Sequence, residues 1–168
     1  RDIKPANIMI AQGTDVKIAD FGAALLRKAQ SVQSATIGSP YYMSPEQLAQ
    51  APLTHHSDMY CLGVVLYELL TGQKPFIADS LDMLVEKILH HDPAPPSSVR
   101  ATLPREIDRV VLRAMAKKPQ YRYKTWPEFA LELSECGRLV LPPEGIMDSE
   151  KYLALKRVEM LANLSDAE

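Results

Sequence analysis

Neither sign of charge is in excess in this sequence. Over 168 residues, 19 Lys and Arg stand against 21 Asp and Glu, a net charge of −2, so the basic footprint of a nucleic-acid-binding protein is missing. Cysteine is scarce as well. Cys61 and Cys136 are far apart and have no metal-ligand spacing, and they read as buried free thiols of a reducing compartment. No apolar run is long enough to span a bilayer, because the longest, Met59 to Leu70, is short and broken by Glu68. There is no secretory signal pattern, no internal repeat and no low-complexity tract. What remains, 46% hydrophobic and 24% charged residues, is the composition of a soluble globular protein. The length suits one core-bearing domain with a short appendage.

Two apolar runs, Ile8-Met9-Ile10 and Val16-Lys17-Ile18, flank the polar turn Gln12-Gly13-Thr14-Asp15 and predict a β-hairpin. Residues 23–43 lack periodicity and read as a long ordered loop, a length that usually serves function. A helix then starts at Ser57 as its cap and stops at Thr71-Gly72, with Pro75 just beyond. Met59 to Leu70 is apolar on almost every face, so this helix belongs at the domain centre. Amphipathic helices follow at about 80–91 (Leu81, Leu84, Val85, Ile88, Leu89), at about 105–117 (Ile107, Val110, Val111, Ala114, Met115) and from Thr125 to about Glu135. Between the first two, Asp92 to Pro104 is a connector in which Pro93, Pro95 and Pro96 exclude a helix interior. Gly137 and Pro142-Pro143 mark a boundary, and a last amphipathic stretch at about 148–162 carries Tyr152, Leu153, Leu155, Val158 and Leu161. The fold class is mainly α with a small β-hairpin (α+β), with no room for a long parallel sheet.

The hairpin suggests a site. If Gly13-Thr14 is a two-residue turn, Gln12 pairs with Asp15, and counting outward Asn7 pairs with Asp20, Cβ atoms roughly 5 Å apart. An amide oxygen and a carboxylate so placed suit a hard cation such as Mg²⁺. Taken alone, the two residues read better as ordinary strand ends.

The surrounding residues make the site more specific. Arg1-Asp2-Ile3-Lys4-Pro5-Ala6-Asn7, with Asp20-Phe21-Gly22 across the hairpin, resembles the catalytic loop and metal-binding triplet of protein kinases. The resemblance implies that Asp2 is the base for a substrate hydroxyl and that Lys4 steadies the transferring γ-phosphoryl group. It also implies that Asn7 and Asp20 hold Mg²⁺ on ATP. Such chemistry needs positioning and charge neutralisation more than covalent help. With Lys4 in Asp2-Ile3-Lys4-Pro5-Ala6-Asn7, the loop resembles the serine/threonine-kinase version.

Gly38-Ser39-Pro40-Tyr41-Tyr42-Met43-Ser44-Pro45-Glu46 is similar to the end of a kinase activation segment, with Ser44 where Ala is usual. The resemblance implies that Ser39 touches Asp2 and Lys4 and helps specify a Ser/Thr acceptor, and that Glu46 forms a buried ion pair with Arg122. Asp58 would accept backbone hydrogen bonds from the catalytic loop, although a carboxylate there also suits the helix dipole. Arg1 before Asp2 points to regulation by phosphorylation. Among Ser31, Ser34 and Thr36 the favoured site is Thr36, whose phosphate would pair with Arg1 and with Arg27 or Lys28. The pairs His55-His56 and His90-His91 read as solvated or capping residues, and Trp126 and Phe129 as core anchors.

The resemblance covers about residues 1–136, the C-terminal lobe of a protein-kinase-like fold, leaving 137–168 as linker and amphipathic helix. Leu164-Ser165-Asp166-Ala167-Glu168 faintly resembles the opening of a cyclic-nucleotide-binding domain, but a linker helix is the preferred reading. Asn7-Ile8-Met9-Ile10, Ser44-Pro45-Glu46-Gln47, Leu103-Pro104 and Lys117 to Arg122 are most similar to bacterial Hanks-type kinases. The family's Gly-x-Gly-x-x-Gly loop and ATP-contacting lysine with its glutamate are missing. The resemblance therefore implies a cytoplasmic, ATP-dependent serine/threonine kinase acting on proteins, of which this stretch alone is expected to be inactive. A non-catalytic binding or scaffold module, docking through the substrate groove and the helix at 80–91, is the competing reading. Asp2, Lys4, Asn7 and Asp20 together favour catalytic ancestry, since a scaffold needs none of them.

Overall fold

The apolar run at Met59–Leu70 forms the body of a 17-residue helix, α2 (His55–Thr71), which buries Met59, Tyr60, Cys61, Val64, Val65, Leu66, Tyr67 and Leu70. Burial on nearly all sides matches a helix apolar all round. Among the described residues a short helix precedes it, α1 (Pro45–Leu48), and four follow: α3 (Leu81–His90), α4 (Pro96–Val99), α5 (Glu106–Ala114) and α6 (Trp126–Arg138). Strands β1 (Ile8–Ala11) and β2 (Asp15–Ile18) form an antiparallel pair at the N-terminal side. The computed structural model describes residues 2–11, 15–18 and 40–138. The stretch at 148–162, the C-terminal Leu164 to Glu168 and most of the loop at 23–43 lie outside them. The mainly helical architecture with one hairpin agrees with the fold class read from the sequence.

The hairpin register corrects one expectation. Ile8 pairs with Ile18, Met9 with Lys17, Ile10 with Val16 and Ala11 with Asp15. Three residues, 12–14, therefore separate the strands, not the two assumed, and an odd loop shifts every partner by one. The two-residue count that paired Asn7 with Asp20 therefore does not hold, and Asp20 itself lies outside the described residues. Asn7 also belongs to a 3-10 turn, Pro5–Asn7, and not to the ladder.

Helix ends differ from expectation for local reasons. The cap of α2 is Thr54, ahead of Ser57: Thr54 Oγ1 accepts from His56 N at 3.3 Å, and Thr54 N donates to Ser57 Oγ at 3.4 Å. Ser57 thus completes a capping box from the third helical position. At the other end Gly72 adopts φ 75°, a left-handed conformation that suits glycine, and its N–H reaches Glu68 O at 2.8 Å. α5 is shorter than the expected 105–117, ending at Ala114 with Met115 as its C-cap (φ −92°, ψ 11°), and the chain is extended by Lys118, the residue before Pro119. α6 runs past the expected end at Glu135 and through Gly137, since one glycine weakens a helix without stopping it.

The proline-rich connector holds an unexpected helix. α4 begins at Pro96, a first-turn position where the missing N–H costs nothing. Asp108 of α5 caps it from outside, accepting from Ser97 N at 2.7 Å and from Ser97 Oγ at 2.6 Å. α2 and α5 meet at Gly63, where an added Cβ would lie 2.8 Å from Met115 Cγ and 3.1 Å from Ala114 Cβ. α5 and α6 are laced by Arg113–Glu128 (2.5 Å), Arg113–Glu132 (3.3 Å) and Arg109–Glu132 (2.6 Å). Trp126 and Phe129 are buried as expected, with Phe129 stacked on Tyr123 at 4.8 Å.

Candidate active site

Asp2, Lys4 and Asn7 converge through purely local folding. Pro5 keeps Lys4 extended (φ −154°, ψ 159°) and starts the 3-10 turn that brings Asn7 back beneath Asp2, with Asn7 N bonded to Lys4 O at 2.9 Å. Lys4 Nζ donates to Asp2 Oδ2 at 2.7 Å. The Asn7 amide nitrogen donates to the Asp2 carbonyl at 2.8 Å and to Asp2 Oδ2 at 3.2 Å. Asn7 is buried, while Asp2 and Lys4 are partly open to solvent. The carboxylate is thus fixed through Oδ2, and among the described residues no hydrogen bond engages Oδ1. With its nitrogen committed to Asp2, Asn7 retains a carbonyl oxygen, a hard ligand of the kind Mg²⁺ takes. Asp20 and Ser39 lie outside the described residues, as do Arg1, Arg27, Lys28, Ser31, Ser34 and Thr36. Their places beside Asp2 therefore rest on the sequence.

The segment from Pro40 onwards is anchored in three places. Pro40–Tyr42 is a 3-10 turn, and the Tyr42 hydroxyl donates to Glu68 Oε2 of α2 at 2.5 Å. Ser44 caps α1 in a box with Gln47: Ser44 N donates to Gln47 Oε1 at 2.8 Å, and Gln47 N to Ser44 Oγ at 3.4 Å. Glu46 meets Arg122 in a two-pronged pair, Nη1–Oε1 at 2.6 Å and Nη2–Oε2 at 2.9 Å, with only 7% of Glu46 and 2% of Arg122 exposed. Arg122 also donates to the carbonyls of His56 (2.7 Å), Ala116 (2.8 Å) and Lys117 (3.2 Å), so every face of the guanidinium is satisfied. Burial alone would push the Glu46 pKa up. The Arg122 hydrogen bonds and charge, with further bonds from Ser57 and the backbone, outweigh it and hold the carboxyl below its ordinary value. The buried pair expected from the sequence is present.

Asp58 stands in the first turn of α2, half-buried. His55 Nε2 bonds Lys124 O at 3.2 Å, and its ring lies 4.1 Å from that of His56, so this pair supports local structure. Among the described residues no group of His, Cys, Asp and Glu is arranged to hold a metal, and no helix is long and apolar enough to cross a membrane. Sequence reasoning missed Tyr42 and Glu68. Glu68 looked only like an interruption in an apolar helix, yet a carboxylate in such a place needs a donor.

A kinase-type catalytic loop, with an activation-segment end tied to a helical lobe by a buried glutamate–arginine pair, defines the class, and the protein kinase domain model matches residues 1–130. The chain belongs to the protein kinase family. It is 43% identical over 157 residues to the serine/threonine-protein kinase PknB of Mycolicibacterium smegmatis, covering 90% of this chain and 25% of that protein. To the PknB of Mycobacterium leprae it is 44% identical over 160 residues, covering 92% and 26%. To that of Mycobacterium tuberculosis it is 41% identical over 157 residues, covering 90% and 25%. The chain thus spans about a quarter of the length of these curated bacterial relatives.

Proposed function

We propose that this chain supplies the catalytic loop and substrate-binding half of an ATP-dependent serine/threonine protein kinase, with proteins bearing Ser or Thr as substrates. The observation that carries this reading is the Asp2–Lys4–Asn7 cluster: a carboxylate held through one oxygen by a lysine at 2.7 Å and an amide at 3.2 Å, its other oxygen without a hydrogen bond among the described residues. Mg-ATP, when bound, supplies the phosphoryl group and neutralises charge on its phosphates. Asn7 and Asp20 are the residues that would hold the metal, and the retained carbonyl oxygen of Asn7 fits that duty. Asp2 orients the acceptor hydroxyl and takes its proton as the oxygen attacks. Lys4 keeps the Asp2 carboxylate in place and brings positive charge to the transferring group, and Ser39 helps position the acceptor.

The kinase domain is read as residues 1–136, with 137–168 as linker and helix. A cytoplasmic setting suits the free buried thiols Cys61 and Cys136. The 168-residue polypeptide by itself is expected to transfer no phosphate, since the Gly-rich phosphate cradle and its lysine are not among its residues.

The test is Mg-ATP-dependent phosphorylation by the intact protein with and without Asp2→Asn. A loss of at least about 100-fold in turnover at unchanged thermal stability is expected, as for removal of a general base. An intact wild-type protein that incorporates no phosphate into any Ser/Thr peptide or into itself would instead support a docking module.

A further inference from the structure

Four side chains around the Pro40–Tyr42 turn form a cluster that the proposed chemistry does not use. The Tyr42 hydroxyl bonds Glu68 Oε2 at 2.5 Å and pins the turn to the C-terminal part of α2. Lys74, just beyond α2, has its Nζ 3.9 Å from Glu68 Oε1 and 4.7 Å from the centroid of the Tyr41 ring. An ammonium over an aromatic face is held in place without losing its charge.

The two opposite charges are not equally available to an approaching chain. Glu68 already accepts a short bond from Tyr42; burial first, and then this bond to the carboxylate, push the Tyr42 pKa well above its ordinary value. Lys74 has three N–H donors, and its one carboxylate partner among the described residues stands at the long limit of an ion pair. Its side chain is also the more exposed of the two, 34% against 27%. The turn directly follows Ser39 and packs between α2 and α3. A substrate backbone laid along it meets a half-open cation that makes no hydrogen bond among the described residues, beside an anion with one oxygen already engaged by Tyr42.

We infer that Lys74, steadied by the Tyr41 ring, is a specificity-determining residue that selects an acidic side chain near the phosphoacceptor. The inference rests on the kinase reading above and names the substrate class of that same site: Ser/Thr acceptors flanked by Asp or Glu. The contact is half-exposed, so its effect is a preference and not an absolute gate.

The experiment uses the intact protein with Mg-ATP and Thr peptides carrying Asp, Ala or Lys singly at each of the three positions on either side of the acceptor. At one or more positions Asp is expected to lower KM roughly three- to fivefold relative to Ala, the range of an exposed ion pair, with kcat the same for both peptides. Lys74→Arg retains the preference, Lys74→Met removes it, and Lys74→Glu turns it towards Lys. Thermal melting of each variant checks that the fold is kept, and the arginine variant carries the test should the others melt early. Equal KM for all peptides, a wild-type preference for Lys (Glu68 acting as the selector), or an acidic preference surviving in Lys74→Glu each overturns the inference while leaving the kinase reading intact. Absence of phosphorylation of every peptide and of the protein itself rejects the kinase reading, and the inference with it.

Discussion

Lys117 carries its ammonium into the seam between α3 and the end of α5. There Nζ donates to Ile88 O at 2.7 Å and stands 4.4 Å from the Phe76 ring centroid. Burial lowers its pKa, against the pull of Asp92 and with the help of Arg122, from 10.5 to about 8. Below pH 8 the group is charged in both folded and unfolded states and the burial penalty is felt in full. Between pH 8 and 10.5 the folded protein releases the proton first, so this residue's contribution to stability rises with pH. Denaturant unfolding of wild type and Lys117→Met at pH 7 and pH 10 should show wild type gaining on the variant at the higher pH. A constant difference would reject the assignment.

The thiols give a second prediction at this scale. Cys61 is 2% and Cys136 5% exposed, and burial pushes the Cys61 thiol up to about 12. Thiolate is the reactive form, so iodoacetamide at pH 8 should leave both unlabelled in the native protein and label both after unfolding, read by mass spectrometry. What the sequence made legible here was local. Asp2, Lys4 and Asn7 lie within one turn, and their convergence follows from Pro5. Tyr42, Glu68 and Lys74 were not legible as a group, because only the packing of a turn on α2 brings residues 26 positions apart into contact.

At the scale of elements, periodicity decided which helices could be foreseen. α2, α3, α5 and α6 bury faces long enough to show a repeat, whereas α1 and α4 have four residues each and show none. α4 owes its form partly to Asp108, a residue of another helix. The hairpin strands were legible, but their register was not, since one loop residue more or fewer moves every partner. The tight approach of α2 to the end of α5 at Gly63 yields a prediction. Gly63→Ala gains about 1 kcal/mol in helix propensity. It must also push Met115 Cγ and Ala114 Cβ away from contacts of 2.8 and 3.1 Å, and overpacking of this kind costs about 1–3 kcal/mol. Net destabilisation of up to about 2 kcal/mol is expected in denaturant titration. The exposed Leu131→Ala on α6 serves as a control with little change.

For the molecule as a whole, the Glu46–Arg122 pair ties the end of the activation-segment-like stretch to the helical body. Removing one partner strands the other in the interior, a loss of about 3–5 kcal/mol. Because the Glu46 carboxyl is held below its ordinary value of 4.5, its stabilisation is present above that pH. It fades as acid titrates the carboxyl through its lower folded value. The stability gap between wild type and Glu46→Gln, measured by denaturant unfolding, should therefore hold level at neutral pH and narrow as the pH falls below 4.5. A gap that widens on acidification would show that the carboxylate is not what Arg122 holds.

That pair also bears on the order of assembly. Two of the guanidinium's acceptors, the carbonyls of Ala116 and Lys117, are six and five residues away, but Glu46 lies 76 and His56 66 residues back. Closing so long a chain segment is favoured once α2 and α5 have collapsed together, and the junction is expected to form after the rate-limiting barrier. Arg122→Ala should therefore leave the refolding rate almost untouched and put nearly all of its cost into faster unfolding, visible as a shift of one chevron limb alone. Arg122 then governs how long the folded lobe lasts, and hardly at all how quickly it forms.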